Sequence, residues 1–264
     1  MKLLLAIPLL FLIACNNGEK KESVIMPGAY MMTLQSLKNS TMDTTYHTLQ
    51  QLKIYTGEYM MYANFYPRDS ASRFGIGSYS AIKDTVTENV IYSAADSVKD
   101  DTPRTYTVII EKRDSGYKQV IPDLESQGQK TILTEEYRSV GTAEKTPIDG
   151  VWKELKTYYI KGKDTTKYNT TQYKAYYGGY YIWGNTYSDS AKKNHTGMGF
   201  GKFVLSGKDS LTESCITSSY YRLRGQDIHV DIEMNGTDEY KQTITYPNNE
   251  KSVEIYQRLK ENAK

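Results

Sequence analysis

The 264-residue chain carries 33 basic and 31 acidic residues, a formal net charge of +2, and no dense basic block. A role in nucleic-acid binding is therefore poorly supported. Only 39% of the residues are hydrophobic, but 25 are tyrosines, and Tyr, Thr, Val and Ile fill most periodic stretches. These residue types suit a pleated, half-buried surface, so the composition predicts an all-β protein, and the length is comfortable for two domains.

The chain begins with a positive residue, Lys2, and an apolar run from Leu3 to Ala14. This run is shorter than the roughly 20 residues that span a bilayer, and its layout is that of a secretory signal peptide. Its end, Leu12-Ile13-Ala14-Cys15, resembles the lipobox of bacterial lipoproteins, in which the signal is cut before a cysteine that becomes acylated, for example with palmitate. We therefore predict a signal peptide over 1–14 and a lipid anchor on Cys15, which holds a protein stably at a membrane. The alternative is an ordinary signal peptide with a chance cysteine.

Residues 15–25 are polar and charged, and we predict a flexible tether. Asn16 stands where, by analogy with the best-known sorting system, an aspartate retains a lipoprotein at the inner membrane. We therefore expect lipid anchoring at the outer membrane of the cell envelope, on a face that the sequence leaves open. With Cys15 acylated, Cys215 has no partner for an intrachain disulfide, and we interpret it as a small buried hydrophobe.

Two segments of the chain match each other at a nearly constant distance. Residues 51–66 (QLKIYTGEYMMYANFY) align without a gap with 172–187 (QYKAYYGGYYIWGNTY), and further matches follow in the same order on both sides. The clearest pairs are Gln51/Gln172, Lys53/Lys174, Tyr55/Tyr176, Asn64/Asn185, Tyr66/Tyr187, Glu88/Glu213, Glu135/Glu254 and Tyr137/Tyr256. The spacing is far above the period of solenoid repeats, so the pattern predicts a duplicated whole domain, with copy one at 26–141 and copy two at 142–264.

Each copy divides into about eight predicted strands. In copy one they lie near 28–33, 50–56, 59–66, 74–82, 85–93, 104–113, 117–121 and 131–140. In copy two they lie near 150–160, 171–177, 180–187, 198–205, 210–218, 227–234, 239–246 and 251–259. Asp114-Ser115-Gly116 and Asn235-Gly236 are turn signals. Eight antiparallel strands in this length predict an up-and-down barrel, which removes exposed sheet edges.

Each copy resembles the bacterial lipocalin-like domains of largely unknown function. The matching pieces are an early Gly-x-aromatic, a Lys-x-Tyr-x-Gly-x-Tyr run, a Gly-x-Gly-x-aromatic strand, a Thr-Glu pair and a closing Glu-x-Tyr followed by arginine. The resemblance implies two tandem eight-stranded calycin-type barrels. In lipocalins a tryptophan of the first strand packs under an arginine of the last, which implies this role for Trp152 and Arg258. Copy one departs from the pattern, because Tyr30 replaces the tryptophan and Arg138 lies one place early.

The aromatic segment 180–187, matched by 59–66 in copy one, predicts a strand that is covered on both sides, because both of its alternating faces are apolar. We expect the barrel interior on one side, and on the other either the second domain or a loop formed by 34–49 or 160–170. The interior rings either fill the barrel or line a pocket for a small hydrophobic, amphipathic or sugar-like ligand. The candidate ligand-binding residues are Tyr62, Asn64, Tyr66 and Glu88 in copy one, and Tyr181, Trp183, Asn185, Tyr187 and Glu213 in copy two. Each glutamate is either a polar anchor in the pocket or part of a solvated strand face, and the larger indole makes copy two the better candidate.

No catalytic constellation accompanies these residues. The three histidines, His47, His195 and His229, have no matched partner in the other copy, and no His-Glu-x-x-His, paired cysteines or Gly-x-Ser-x-Gly occurs. We therefore expect no enzymatic activity, no cofactor and no metal. Two functions stay open, namely binding of a small ligand and a structural or protein-interaction module of the envelope with filled barrels and an unknown protein partner.

Overall fold

The structure is a computed structural model that describes residues 27–66, 71–94, 104–126, 128–142 and 144–260. The predicted signal peptide, the lipidation site Cys15 and the tether lie outside these residues. Within the described ranges no helix has the length and apolar composition that a bilayer crossing needs.

Two closed antiparallel barrels follow each other along the chain, as the repeat predicts. The strands of barrel 1 are β1 (Gly28–Lys38), β2 (Asp43–Tyr46), β3 (Gln50–Tyr55), β4 (Tyr59–Tyr66), β5 (Ala71–Ile82), β6 (Thr85–Ser93), β7 (Arg104–Arg113), β8 (Gly116–Ser126) and β9 (Gln129–Val140). Those of barrel 2 are β10 (Gly150–Lys161), β11 (Asp164–Tyr168), β12 (Thr170–Tyr177), β13 (Tyr180–Ser188), β14 (Asn194–Ser206), β15 (Ser210–Ser218), β16 (Asp227–Asn235), β17 (Glu239–Thr245) and β18 (Lys251–Arg258). A short 3-10 helix, Tyr221–Leu223, lies between β15 and β16.

Each barrel closes where its first strand pairs with its last, β1 with β9 and β10 with β18. Both copies carry a β-bulge at the same point of the closing pair, between Met32 and Leu34 in barrel 1 and between Glu154 and Lys156 in barrel 2. A second matched bulge lies in the β5–β6 and β14–β15 pairs. The two copies therefore share strand order, direction and local irregularities.

The segments expected to be loops that cover the barrel are instead part of the sheet. The chain after residue 34 continues β1 and turns back as β2, and β11 does the same beside β10. The sequences Asp-Thr-Thr-Tyr and Asp-Thr-Thr-Lys-Tyr are rich in β-branched and aromatic residues, which favours a ninth strand in each copy.

Each barrel covers the outer face of the other barrel's aromatic strand, which is β4 in barrel 1 and β13 in barrel 2. Equivalent strands meet at the interface, β3 with β12, β4 with β13 and β5 with β14. Their outward side chains form one shared apolar core, which contains Leu52, Ile54, Met61, Ala63, Phe65, Phe74 and Ile76 of barrel 1 and Tyr173, Ala175, Ile182, Met198 and Phe200 of barrel 2. Arg224 adds a cation–π contact across the interface, with its guanidinium carbon 4.2 Å from the centroid of the Phe65 ring.

Barrel 2 is closed at the end that faces the linker between β9 and β10. Trp152 is fully buried, and its indole N–H donates to the carbonyl of Ile148 over 2.9 Å. The guanidinium carbon of Arg258, directly opposite on β18, lies 4.0 Å from the ring centroid. The same guanidinium donates to the carbonyls of Pro147 at 2.8 Å and Thr237 at 2.7 Å, so it ties the last strand to the linker and to a turn.

Barrel 1 closes the same end without an arginine. Ser139 lies opposite Tyr30, and Arg138 lies opposite Met31 with its side chain exposed. Tyr30 packs edge-on against Tyr117 with the ring centroids 4.9 Å apart. Packed tyrosine rings therefore take the place of the Trp–Arg pair.

The interface generates a testable prediction, because Phe74 packs directly on the backbone of Gly184. A Cβ at residue 184 would lie 2.3 Å from Cγ of Phe74, which is far inside van der Waals contact. Gly184→Ala should therefore lower the free energy of unfolding by about 1–3 kcal/mol, measured by urea denaturation. In a Phe74→Ala background the same substitution should cost much less, because the obstructing ring is gone. Simple additivity of the two changes would contradict this packing.

Candidate functional site

A layer of tyrosines forms the floor of barrel 1. Tyr117 and Tyr137 stack with their ring centroids 4.8 Å apart, and Tyr55 lies edge-on to Tyr117 at 6.4 Å. All three rings are buried. The interior at this end is filled by side chains.

An ion pair lies above this floor. The Lys53 ammonium is 2.5 Å from Oε1 of Glu88 and 3.3 Å from Oε1 of Gln119, and Tyr55 donates to the same Glu88 oxygen at 2.5 Å. Lys53, Glu88 and Gln119 each expose 4% or less of their surface. Because the charges are paired and hydrogen-bonded, their burial is tolerated, and loss of one partner would leave an uncompensated charge.

Glu135 is the second interior carboxyl group of barrel 1. Its Oε1 accepts from the Gln35 amide at 2.7 Å, and its Oε2 accepts from Gln119 at 2.5 Å and from the Tyr137 hydroxyl at 2.7 Å. Burial, and next the charge of Glu135, raise the pKa of Tyr137, so this hydroxyl keeps its proton. Glu135 is therefore held by neutral donors and has no cation of its own among these contacts.

A short hydrogen-bond chain leads from Tyr137 to the cavity. Gln51 donates to the Tyr137 hydroxyl, and Asn64 donates to Oε1 of Gln51 at 2.9 Å. Among the described residues, the buried Oδ1 atom of Asn64 has no hydrogen-bond partner.

A cavity of about 240 Å³ lies above this polar layer. Four strands each give the cavity one residue of the polar layer and, two positions further toward the mouth, a more apolar residue. These pairs are Gln35 and Leu37, Asn64 and Tyr66, Gln119 and Ile121, and Glu135 and Leu133. Tyr62, Arg73, Val90, Tyr106 and Leu124 complete the wall. The cavity therefore has a polar base and a mostly apolar rim.

Barrel 2 repeats most of the polar layer, although Thr157 holds the position opposite Glu254 that Gln35 holds opposite Glu135. Lys174 lies 3.0 Å from Glu213 and 3.0 Å from Gln242, and Tyr176 donates to Glu213 at 2.5 Å. Gln172 and Gln242 donate to Glu254 at 2.9 and 2.8 Å, and Asn185 donates to Gln172 at 3.0 Å. The duplication has thus preserved the ion pair and the Asn–Gln–Tyr–Glu hydrogen bonds of the layer.

The two barrels differ nearer the mouth. In barrel 2 the Trp183 indole stacks on Tyr220 with the ring centroids 5.6 Å apart and the planes at 15°. This stack lies against Gly197 and Gly199, which leave room for the rings. In barrel 1, Tyr62 takes the place of the tryptophan, and Arg73 lies opposite Asn64 where barrel 2 has Gly197 opposite Asn185. Barrel 2 therefore has a second ring, Tyr220, stacked on the residue that corresponds to Tyr62.

The structure separates the predicted site residues into two groups. Tyr62, Asn64, Tyr66 and Glu88 line one cavity. In copy two, Tyr181 and Trp183 belong to the barrel core, Glu213 pairs with Lys174, and Tyr187 stacks on His195 with the ring centroids 5.2 Å apart. Both glutamates face the interior and not a solvated strand face.

Sequence reasoning missed half of the polar layer. The residues are Gln35, Gln51, Lys53, Gln119 and Glu135 with their counterparts in barrel 2. The signal was present, because Gln51, Lys53 and Tyr55 alternate along one strand face and match Gln172, Lys174 and Tyr176.

Glu154 of barrel 2 generates a prediction about pH. Burial raises the pKa of this half-buried carboxyl group to about 7, the Thr170 hydroxyl offsets part of the rise, and Glu254 adds to it. The folded state therefore binds the proton more tightly than the unfolded state, and the free energy of unfolding should fall as pH rises from about 4.5 to 7. Glu154→Gln should remove about 1–2 kcal/mol of this fall, a value reduced for solvent screening. Urea denaturation from pH 4 to 8 measures it.

The exposed Glu233 supplies the control, since Glu233→Gln removes a carboxylate from the same barrel. The control should retain the fall of stability that Glu154→Gln loses. Parallel pH profiles for wild type and Glu154→Gln would contradict the prediction.

Comparisons with known proteins give two solved structures with low overall similarity. No family model matches the chain, and no curated protein matches it. A similar solved structure is a protein of unknown function of the DUF3598 family from Nostoc punctiforme, with 10% identity and a TM-score of 0.26 over 88% of this chain and 96% of that one. Another is the isotype 1 transferrin binding protein B of serogroup B Neisseria meningitidis, with 10% identity and a TM-score of 0.16 over 84% of this chain and 60% of that one.

Proposed function

We propose that this chain is a lipocalin-like, non-catalytic binding protein whose barrel 1 holds one small amphipathic molecule. The cavity of about 240 Å³ in barrel 1 carries the proposal. An eight-stranded barrel is wide enough for one small ligand, and mostly apolar walls with a few placed polar groups are typical of such sites. A cavity of about 150 Å³ accommodates benzene, so the space suits a molecule of roughly ten non-hydrogen atoms.

Barrel 1 is the better site, although the larger indole favours barrel 2 at the level of sequence. The Trp183 ring already stacks on Tyr220, so one face of the indole is covered by the chain itself. We propose that barrel 2 is mainly a structural partner that covers the outer face of barrel 1.

A binding role suits the interior better than catalysis does. Glu88 and Glu135 accept hydrogen bonds from the protein's own side chains, which already occupy these carboxyl groups. Among the described residues, no group of three or more metal-ligating side chains comes together. We therefore propose no enzymatic step.

The proposed place of action is the outer membrane, through acylation of Cys15. The motif Leu12-Ile13-Ala14-Cys15 supports this, and the tether of 15–25 would hold the barrels away from the lipid surface.

The anchor is tested by Cys15→Ala in the native host. The wild-type protein should fractionate with membranes and carry an acylated N-terminal cysteine by mass spectrometry, whereas the variant should be found in the soluble fraction. Cys215→Ala is the matched control, because Cys215 is buried and should leave fractionation unchanged. A Cys15→Ala protein that stays with the membrane would contradict the anchor.

The ligand site is tested by filling each barrel in turn. Ile121 lines the cavity of barrel 1, and Ile244 holds the matched position beside the core of barrel 2. Fluorescence titration with 1-naphthol should show binding to the wild type and to Ile244→Trp, and at least tenfold weaker binding to Ile121→Trp, because the new ring occupies the cavity. Circular dichroism and the urea midpoint establish that both variants are folded.

Two outcomes of this titration oppose the proposal. Loss of binding only in Ile244→Trp would place the site in barrel 2. No binding of 1-naphthol to the wild type would favour the structural or protein-interaction module.

A further inference from the structure

An arginine faces the interior of barrel 1 at the mouth of the cavity. On β5, Phe74 packs into the core that the two barrels share, so its neighbour Arg73 points to the opposite side of the strand and lines the cavity. Barrel 2 has Gly197 at the matched position. The cation is therefore specific to the barrel in which we place the ligand, and it is not a feature that both copies share.

The Arg73 guanidinium is positioned by a ring and is accessible. Its central carbon lies 5.0 Å from the centroid of the Tyr66 ring, and the residue is exposed to solvent. Among the residues that the structure describes, no carboxylate or other acceptor forms an ion pair or hydrogen bond with it. A cation–π contact leaves most of the five N–H donors of a guanidinium available. Arg73 can therefore offer two parallel hydrogen bonds to a carboxylate.

The base of the cavity is a poor place for an acidic group. Lys53 is paired with Glu88, and Glu135 accepts three hydrogen bonds from neutral side chains. These three residues each expose 5% or less of their surface. A ligand carboxylate on this base would lose its hydration beside two carboxyl groups, which is costly. At the mouth the same carboxylate keeps part of its hydration and meets a guanidinium.

Apolar side chains line the cavity near this arginine. Leu37, Ile121, Leu124 and Leu133 are each half-buried, so part of their apolar surface faces the cavity. Covering such surface favours binding of a hydrocarbon body. The cavity thus combines an apolar wall with one accessible cation at its mouth.

We propose that barrel 1 selects small organic acids, with the apolar body against Leu37, Ile121 and Leu133 and the carboxylate bound by the Arg73 guanidinium at the mouth. This inference rests on the proposed ligand site in barrel 1 and adds the chemical class of its ligand. Arg73 is the specificity-determining residue, because it attracts a carboxylate, repels an ammonium group and gains less from a neutral hydroxyl.

The test is a matched series of eight-carbon chains, titrated by calorimetry at pH 7 and low ionic strength into the full-length protein. The ligands are octanoate, 1-octanol and octylamine, which differ at the polar end and in its charge. Octanoate should bind the wild type at least tenfold more tightly than octylamine. This ratio should shrink at about 0.5 M salt, because the guanidinium is exposed and its charge is screened.

Variants of Arg73 identify the group responsible. Arg73→Met keeps an apolar stem beside Tyr66 and removes the charge, so octanoate should bind about tenfold more weakly while 1-octanol changes by no more than about twofold. Arg73→Glu should reverse the order and favour octylamine. Arg138→Met is the matched control, because it removes an exposed arginine of the same barrel whose partner position, opposite Met31, is far from the mouth. It should retain the preferences of the wild type.

A second variant separates binding in the cavity from contact with the arginine alone. Ile121→Trp retains Arg73 but fills the cavity, so it should bind all three ligands at least tenfold more weakly than the wild type. Octanoate binding that survives this substitution would be a surface association and would overturn the inference. Circular dichroism and the urea midpoint establish that each variant is folded.

The outcomes distinguish this inference from the function on which it rests. If none of the three ligands binds the wild type, the ligand site and its selectivity both fail. If all three bind with equal affinity, or if the preference for octanoate persists in Arg73→Met, the ligand site stands and the role of Arg73 is overturned. Loss of the preference in Arg138→Met as well would indicate a general effect of net charge and would also overturn it.

Discussion

Each barrel holds a second interior carboxyl group beside its ion pair, Glu135 in the first and Glu254 in the second, and the need to hydrogen-bond it organises the surrounding interior. Neutral amides and a tyrosine hydroxyl satisfy Glu135, and these groups come from β1, β8 and β9. Since each donor must in turn be satisfied, the requirement passes on to Gln51 and Asn64 on β3 and β4. One buried carboxyl group therefore determines the hydrogen bonds of side chains on five strands, and the network ends at Asn64.

The same constraint explains why the barrel interior changes character along its axis. The aromatic floor excludes water, so the Lys53–Glu88 pair and Glu135 lie in surroundings where an unpaired polar atom is costly. Above this layer the wall becomes apolar and a cavity opens. The polar base of the cavity therefore depends on the tyrosine floor and the ion pair beneath it.

Much of the fold was predictable because each strand and turn pattern occurs twice in the sequence, in the same order. The strand positions, the two-barrel architecture and the double coverage of 59–66 and 180–188 follow from period-two alternation and from matched order. The hairpin strands β2 and β11 were missed, because polar Thr-rich segments of four or five residues also suit loops. Their pairing depends on neighbouring strands that a single segment does not reveal.

The candidate site was predictable only in part. Tyr62, Asn64, Tyr66 and Glu88 follow from aromatic alternation and from matched positions. Lys53 and Gln119 were not expected inside, because a lysine or glutamine on a strand usually marks the solvated face. Their burial depends on partners on other strands, Glu88 on β6 and Glu135 on β9. The ring stack on Trp183 in barrel 2 depends on Tyr220, which lies in the connection between β15 and β16 and not on β13.

The meeting of equivalent strands at the interface between the barrels has a consequence for ancestry. Contact of β3 with β12, β4 with β13 and β5 with β14 is the arrangement that two identical subunits make about a two-fold axis. Fusion of the two copies into one chain frees each half of that surface to diverge, since self-complementarity is no longer required. Phe74 against Gly184 is such a divergence, because Met198 and Ala63 hold the corresponding positions in the opposite copies. The chain thus has the form of a homodimer made asymmetric by gene fusion, in which the two interiors share a polar network and differ in the aromatic rings beside it.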